Sequence, residues 1–275
     1  MSTPSRTHPV LLALVALVVL LVVAAPAGAA AVPTKRPGVL TVGLSMPVPN
    51  FQFGVVIGSQ VIVAEGAEID IVKVIADRLG VARVEYVNES GFLPIVNGRP
   101  KRYDFAIAEA TITAERERRL DFSVPYMRAD QGVLLARQYH GQPPRSLAQL
   151  RGLRLCSGRG TTGAAAIRTR VRPRRPPLLL ENQRRMFEAL RQGRCAAAVY
   201  DAPILSAVNT AYPTRFGKVV GRIPTNELYG IVFEQGSPLR RHVDPVLLEM
   251  RAQRVLHRIR DRWLGTASRR LPVLR

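Results

Sequence analysis

Cysteine is nearly absent from this chain: of 275 residues only Cys156 and Cys195 carry a thiol, and their spacing fits no zinc pattern. Two cysteines without clustered histidines supply at most half a metal site, so no metal is expected. Histidine is equally scarce. His8, His140, His242 and His257 all fall outside the segments read below as cleft loops. No Ser-His-Asp arrangement and no phosphate-cradling glycine loop occurs, which excludes the commonest nucleophilic and nucleotide-dependent chemistries. No cofactor is expected. After residue 34 there is no long apolar run, so nothing in the body of the chain reads as a bilayer span.

Acidic residues are few, 20 against 40 basic ones, giving a formal charge of +20. Such a balance invites a nucleic-acid or membrane-surface reading. The distribution argues against it. Lysine occurs only at Lys35, Lys73, Lys101 and Lys218, and the remaining basic residues are arginines spread along the chain. The densest run, Arg168, Arg170, Arg172, Arg174 and Arg175, has no interleaved aromatics on which bases would stack. We read it as a solvated basic face, with a docking surface for an acidic partner as the alternative, and expect no nucleic-acid binding.

What the chain does have is 47% hydrophobic residues, enough over this length for one large domain or two compact lobes. Its first segment stands apart. Arg6 and His8 precede an uncharged run from Pro9 to Thr34 whose centre, Val10 to Ala25, is only Leu, Val and Ala. The small residues Ala27 to Ala31 then offer A-x-A-like cleavage sites, the pattern of an export signal over residues 1–31. An uncleaved anchor is the alternative, because about 20 apolar residues can span a bilayer.

Val39–Gly43 reads as a first strand, followed by a polar-aromatic loop with Pro47, Pro49, Phe51 and Phe53. Ile69, Val72, Ile75, Ala76 and Leu79 then recur at helical spacing up to a Gly80 stop. Strands are expected at Val84–Val87 and Tyr103–Ala108, with a short helix over Phe92–Val96 between them. The pattern restarts after Gly141: strands at Leu153–Cys156, Leu178–Leu180 and Ala196–Tyr200, with helices over Thr161–Arg170 and Gln183–Gln192. Two successive α/β units of this kind predict two lobes. Leu239–Leu264 carries an amphipathic helical pattern and is expected to pack back on the first lobe. In open parallel sheets ligands sit beyond the carboxyl ends of strands, so the informative residues are those just after each strand.

After the third strand comes Glu109-Ala110-Thr111-Ile112-Thr113-Ala114-Glu115-Arg116. Thr113 is a credible N-cap, and a guanidinium one turn in can grip a carboxylate through two parallel hydrogen bonds. Taken alone, these residues favour a capped helix with a solvated arginine. The wider run, Tyr103–Ala108, Thr111–Arg116 and Leu120-Asp121-Phe122-Ser123-Val124-Pro125-Tyr126, resembles the signature of the family 3 extracellular solute-binding proteins. Those proteins serve ABC importers of polar amino acids. Further matches follow in order: Gly66–Ile71, Gly160-Thr161-Thr162, Gly193-Arg194-Cys195 leading to Asp201-Ala202-Pro203, Tyr229-Gly230-Ile231 and Arg262–Gly265.

The resemblance implies a two-lobed periplasmic-binding-protein-like α/β fold (type II) with the ligand cleft between lobes. Its bearer captures a polar amino acid in the periplasm, delivers it to an ABC transporter permease, acts as a monomer and touches the membrane only through that permease. It implies that Arg116, Thr111 and the Gly160-Thr161-Thr162 helix start bind the ligand carboxylate, while Asp201 receives the ammonium. It also implies a Cys156–Cys195 disulfide, with two free thiols as the alternative. We place lobe 1 at residues 32–131 plus 229–265, lobe 2 at 132–228 and a C-terminal tail at 266–275. The crossings are expected near Gln131–Gln138 and Glu227–Val232.

Some positions depart from the family pattern. Glu89 replaces an aromatic, Val48 replaces another, and Glu109 stands where glycine or serine is usual. These carboxylates would either select a cationic side chain or mark an altered site. Phe51, Phe53, Phe92 and Tyr200 are candidate cleft walls, core packing being the alternative for the phenylalanines. One rival reading is an enzyme on the same scaffold, a cyclohexadienyl or arogenate dehydratase using Glu109 or Glu89 as acid. The segment after Gly160, Thr161-Thr162-Gly163-Ala164, lacks the Asn-Glu pair associated with that type. Another is a degenerate sensor domain that binds none of the common amino acids.

Overall fold

The computed structural model describes residues 32–275; the expected export signal, residues 1–31, lies outside them. Among the described residues the strands are β1 (Val39–Leu44), β2 (Phe53–Ile57), β3 (Gln60–Glu65), β4 (Arg83–Asn88), β5 (Phe105–Ala106), β6 (Leu120–Phe122), β7 (Met127–Leu135), β8 (Leu155–Gly158), β9 (Leu178–Leu180), β10 (Ala197–Asp201), β11 (Val219–Tyr229) and β12 (Val232–Glu234). They form two sheets, ordered β2-β3-β4-β1-β5-β12-β6 and β11-β7-β10-β8-β9. β1 is buried along nearly its whole length because it pairs in parallel with both β4 and β5. An unbroken β-branched and apolar run suits such a two-sided position.

The helix Ala67–Arg78 buries Ile69, Val72, Ile75 and Ala76, the stripe that the 3.6-residue period predicts. The expected third strand is shorter than its apolar run, Phe105–Ala106, because the chain turns toward the cleft immediately afterwards. The hairpin β2–β3 was not anticipated. Its two β-branched runs flank Gly58-Ser59, and Gly58 takes φ +62°, a conformation open to glycine at little cost. The helix expected over Thr161–Arg170 begins at Thr162 and widens after Ala166 into a π-helical turn ending at Val171. The long amphipathic pattern near the end divides into Arg240–Ala252 and Val255–Leu264, broken where Arg254 adopts a left-handed φ of 60°.

β6 ends in the first sheet at Phe122, and β7 already belongs to the second sheet at Met127. The first crossing is therefore residues 123–126, earlier than Gln131–Gln138; residues 127–131, expected in lobe 1, pair with β11 instead. The cause is the long antiparallel β7–β11 ribbon, which draws that stretch into the second sheet. The return crossing is Gly230–Ile231, between β11 and β12. The crossings are tied together: Ser123 N donates to Ile231 O and Ile231 N to Ser123 Oγ, both at 2.9 Å, and Tyr126 N donates to Tyr229 O at 2.9 Å.

Residues 266–275 are not a loose tail. The helix Val255–Leu264 packs on Ala67–Arg78, with Trp263 Nε1 donating to Asp70 at 2.7 Å. The chain then passes to the second sheet, where Arg222 N donates to Pro272 O at 2.8 Å and Leu274 N to Arg222 O at 2.9 Å. Leu274 is buried with Val133, Leu135 and Ile223. Gly221 makes room for it, since a Cβ there would come within 2.6 Å of the Leu274 side chain. This seat explains why apolar residues recur in the closing sequence Leu271-Pro272-Val273-Leu274.

Candidate ligand-binding cleft

β5 delivers the chain to a turn held from behind by Glu68. The Glu68 carboxylate, fully buried, accepts from Glu109 N at 2.8 Å, from Gln52 Nε2 and from the Tyr126 hydroxyl. That grip bends Glu109 to φ 47°, a strained region for any residue but glycine. Burial pushes the Glu68 carboxyl up to about 7, against the lowering effect of its hydrogen bonds. Glu109 is only 7% exposed, and its Oε1 has no partner. Desolvation, followed by the charges of Glu68 and Asp201, raises its pKa well above the usual carboxylate range.

Two residues after Thr111, the Thr113 hydroxyl caps a short helix by accepting from Arg116 N at 3.3 Å. The cap orients Arg116 inward. Its guanidinium donates to Thr111 O at 2.7 Å and, across the cleft, to Gly160 O at 3.2 Å, and lies 4.8 Å over the Phe92 ring. Burial lowers its pKa, while Asp201 and Glu227 oppose that shift; a guanidinium so placed remains charged.

The second lobe brings Asp201 to the end of β10. It accepts from Gln131 Nε2 at 2.8 Å and from the Tyr229 hydroxyl. Burial, then repulsion by Glu227, raises it to about 7. Glu227 itself takes hydroxyl donors from both lobes, Thr111 and Thr162, each at 2.7 Å, and Gln131 Nε2 at 2.9 Å.

One cavity of about 20 Å³ is lined by Phe92, Glu109, Thr111, Arg116, Thr161, Thr162, Tyr200 and Asp201, with Ser45 and Gln183 among its other walls. Most of the expected site residues thus meet in one place. Thr161 spends its hydroxyl on capping, donating to Gly158 O at 2.7 Å and accepting from Ala164 N at 3.2 Å. Gly160 contributes its carbonyl. Phe51 does not line this cavity but is buried in the first lobe's core, because the tight turn Val48–Phe51 folds it inward. Glu89 does not line it either; its charge acts on Lys101 and Tyr103. Gln131, Glu227, Tyr229 and Glu68 were not singled out from the sequence as site residues. Gln131, Glu227 and Tyr229 lie on the paired β7 and β11, whose facing depends on register.

The family model of bacterial extracellular solute-binding proteins, family 3, matches residues 40–266. This chain belongs to that family. The solute-binding protein is 30% identical over 206 residues to the ABC transporter glutamine-binding protein of Bacillus subtilis (strain 168), covering 73% of this chain and 72% of that one. It is similar to the solved structure of an ancestral arginine-binding protein bound to glutamine, with TM-score 0.70, 29% identity and coverage of 84% and 99%. A third relative is an ancestral amino acid-binding protein described as a precursor of cyclohexadienyl dehydratase, with TM-score 0.67, 27% identity and coverage of 82% and 95%. Even the relative named for the dehydratase lineage is a binding protein, and the solute-binding protein is read as a receptor, not as an enzyme. No helix among its described residues is long and apolar enough to cross a membrane.

The buried carboxyls make the unliganded solute-binding protein pH-sensitive. Glu68 and Asp201 stand near 7 when folded, against about 4 in an unfolded chain. Between those values the native state binds more protons than the unfolded one, so stability falls as pH rises. The contribution is full below about pH 4 and lost as pH passes through 7. Urea unfolding without ligand is expected to show a midpoint that declines from pH 5.5 to 8, with a shallower decline in Asp201→Asn.

Proposed function

We propose that this protein captures a free polar amino acid between its lobes in the periplasm and, as a monomer, hands it to an ABC permease. The observation that carries this is the placement of Arg116 on one lobe and Asp201 on the other, both facing one cavity. The ligand carboxylate takes the donors of Arg116, supported by Thr111 and Thr162, and the ammonium takes Asp201 with its Tyr229 and Gln131 neighbours. A charge pair split between lobes rewards closure, so binding biases a hinge equilibrium, and the closed form is what the permease recognises.

A cavity of about 20 Å³ has room for a water molecule and not for an amino acid. The lobes part at residues 123–126 and 230–231 to admit the ligand. The names of the relatives support the ligand class, and the first of them supports the transporter. A thermal-shift screen of the purified protein against the twenty common amino acids tests the reading. Ligand at 1,000 times its Kd adds about 4 kcal/mol, roughly 8–16 °C for a protein of this size. No shift with any amino acid overturns it and favours a sensor domain that has lost the site.

A further inference from the structure

The charge and hydrogen-bonding capacity around the cavity suit one kind of amino acid above the rest. Four buried carboxyl groups converge there or directly behind it: Glu68, Glu109, Asp201 and Glu227. One buried cation, Arg116, faces them. A zwitterion leaves this balance unchanged, because its ammonium answers Asp201 while its carboxylate occupies Arg116. Glu227 is already satisfied by two threonine hydroxyls and the Gln131 amide. Glu68 is satisfied by three donors. Glu109 is met only in part: its side chain shares a hydrogen bond with Glu68, but its Oε1 is buried, unpartnered and on the cavity wall.

The second orphan atom beside the cavity is also an acceptor, Gln131 Oε1. A pocket whose unmet groups are acceptors calls for a ligand rich in N–H donors, and an excess of buried carboxylate calls for positive charge. A metal ion would meet the charge, but no group of three or more His, Cys, Asp or Glu side chains among the described residues is placed to hold one. The backbone at Glu109 adds a second argument. A glutamate held at φ 47° is strained, and glycine would relieve that strain. The position therefore keeps a carboxylate at a conformational cost.

We infer that the cleft selects amino acids with a positively charged side chain and that Glu109 is the residue that selects them. The inference rests on the amino-acid reading above. The α-carboxylate and α-ammonium use Arg116 and Asp201, and the side-chain cation sits beside the unpartnered Oε1 of Glu109.

The test compares L-arginine with L-citrulline, its neutral isostere, by calorimetric titration. L-lysine serves as a second cation and L-glutamine as a second neutral ligand. The wild-type protein is expected to bind arginine at least tenfold more tightly than citrulline. In Glu109→Gln the arginine preference falls to within about threefold while citrulline binding persists. Glu109→Gly guards against misfolding, since the backbone there favours glycine, and is expected to lose the preference in the same way.

Citrulline or glutamine binding the wild-type protein as tightly as arginine overturns the inference and leaves the amino-acid reading intact. A preference that survives in both variants overturns the role of Glu109. Binding of no amino acid at all removes the reading on which the inference stands and the inference with it.

Discussion

Arg116→Ala is expected to weaken amino-acid binding by at least about 100-fold, to the edge of detection by calorimetry. Removing one partner of a buried, hydrogen-bonded charge pair costs about 3 kcal/mol or more, and each 1.4 kcal/mol is a factor of ten. Here the loss is compounded. The same guanidinium spans the cleft from Thr111 O to Gly160 O and stacks on Phe92, so its removal also frees the lobes to part. The variant should fold, because the Thr113 cap acts on the backbone N–H of residue 116 and survives the change. Circular dichroism and a melting curve check the fold, and titration with the best ligand of the amino-acid screen checks the loss. Retention of wild-type affinity would place the carboxylate seat elsewhere.

The second large effect concerns the Cys156–Cys195 bridge, which the structure forms with a Cα–Cα distance of 5.8 Å and a sequence separation of 39. Closing a loop of this length in the unfolded chain corresponds to about 4 kcal/mol in the chain-entropy treatment. Cys156→Ala/Cys195→Ala is therefore expected to melt roughly 8–16 °C below the wild type. The bridge anchors β8 to the segment entering β10. Those two strands carry Gly160-Thr161-Thr162 and Asp201 at their ends, so weaker ligand binding should accompany the lower melting temperature. Reducing the wild-type protein should reproduce both changes. A variant that melts with the wild type would mean that the second lobe is held by its core alone.

What the residues revealed before the structure was known follows from how local each signal is. The helix Ala67–Arg78 was legible because its apolar stripe is a property of one short segment. Arg116, Asp201 and Thr162 were legible through the resemblance to the family 3 signature; their places after strands in an alternating α/β pattern agree with that role but by themselves suit capping residues equally well or better. Glu227 and Gln131 were not, because they lie on β11 and β7, and which face a residue shows on such a ribbon is decided by pairing. The same ribbon displaced the first crossing from its expected place. The β2–β3 hairpin has a local signal too, two β-branched runs about Gly58-Ser59, although no strand is among the expectations for that stretch. Phe51 was expected at the cleft from its loop position and Glu89 from the family position it occupies, and neither says which way a side chain turns.

The segment after the helix Val255–Leu264 makes a third covalent passage between the lobes, distant in sequence from the two hinge crossings. Its seven residues, Gly265–Leu271, have a contour of about 24 Å when fully extended. One end is moored through Trp263 to Asp70 and the other through Pro272 to Arg222. Such a rein sets an upper bound on how far the two moorings travel when the cleft gapes, so the amplitude of opening is written into the chain as a length.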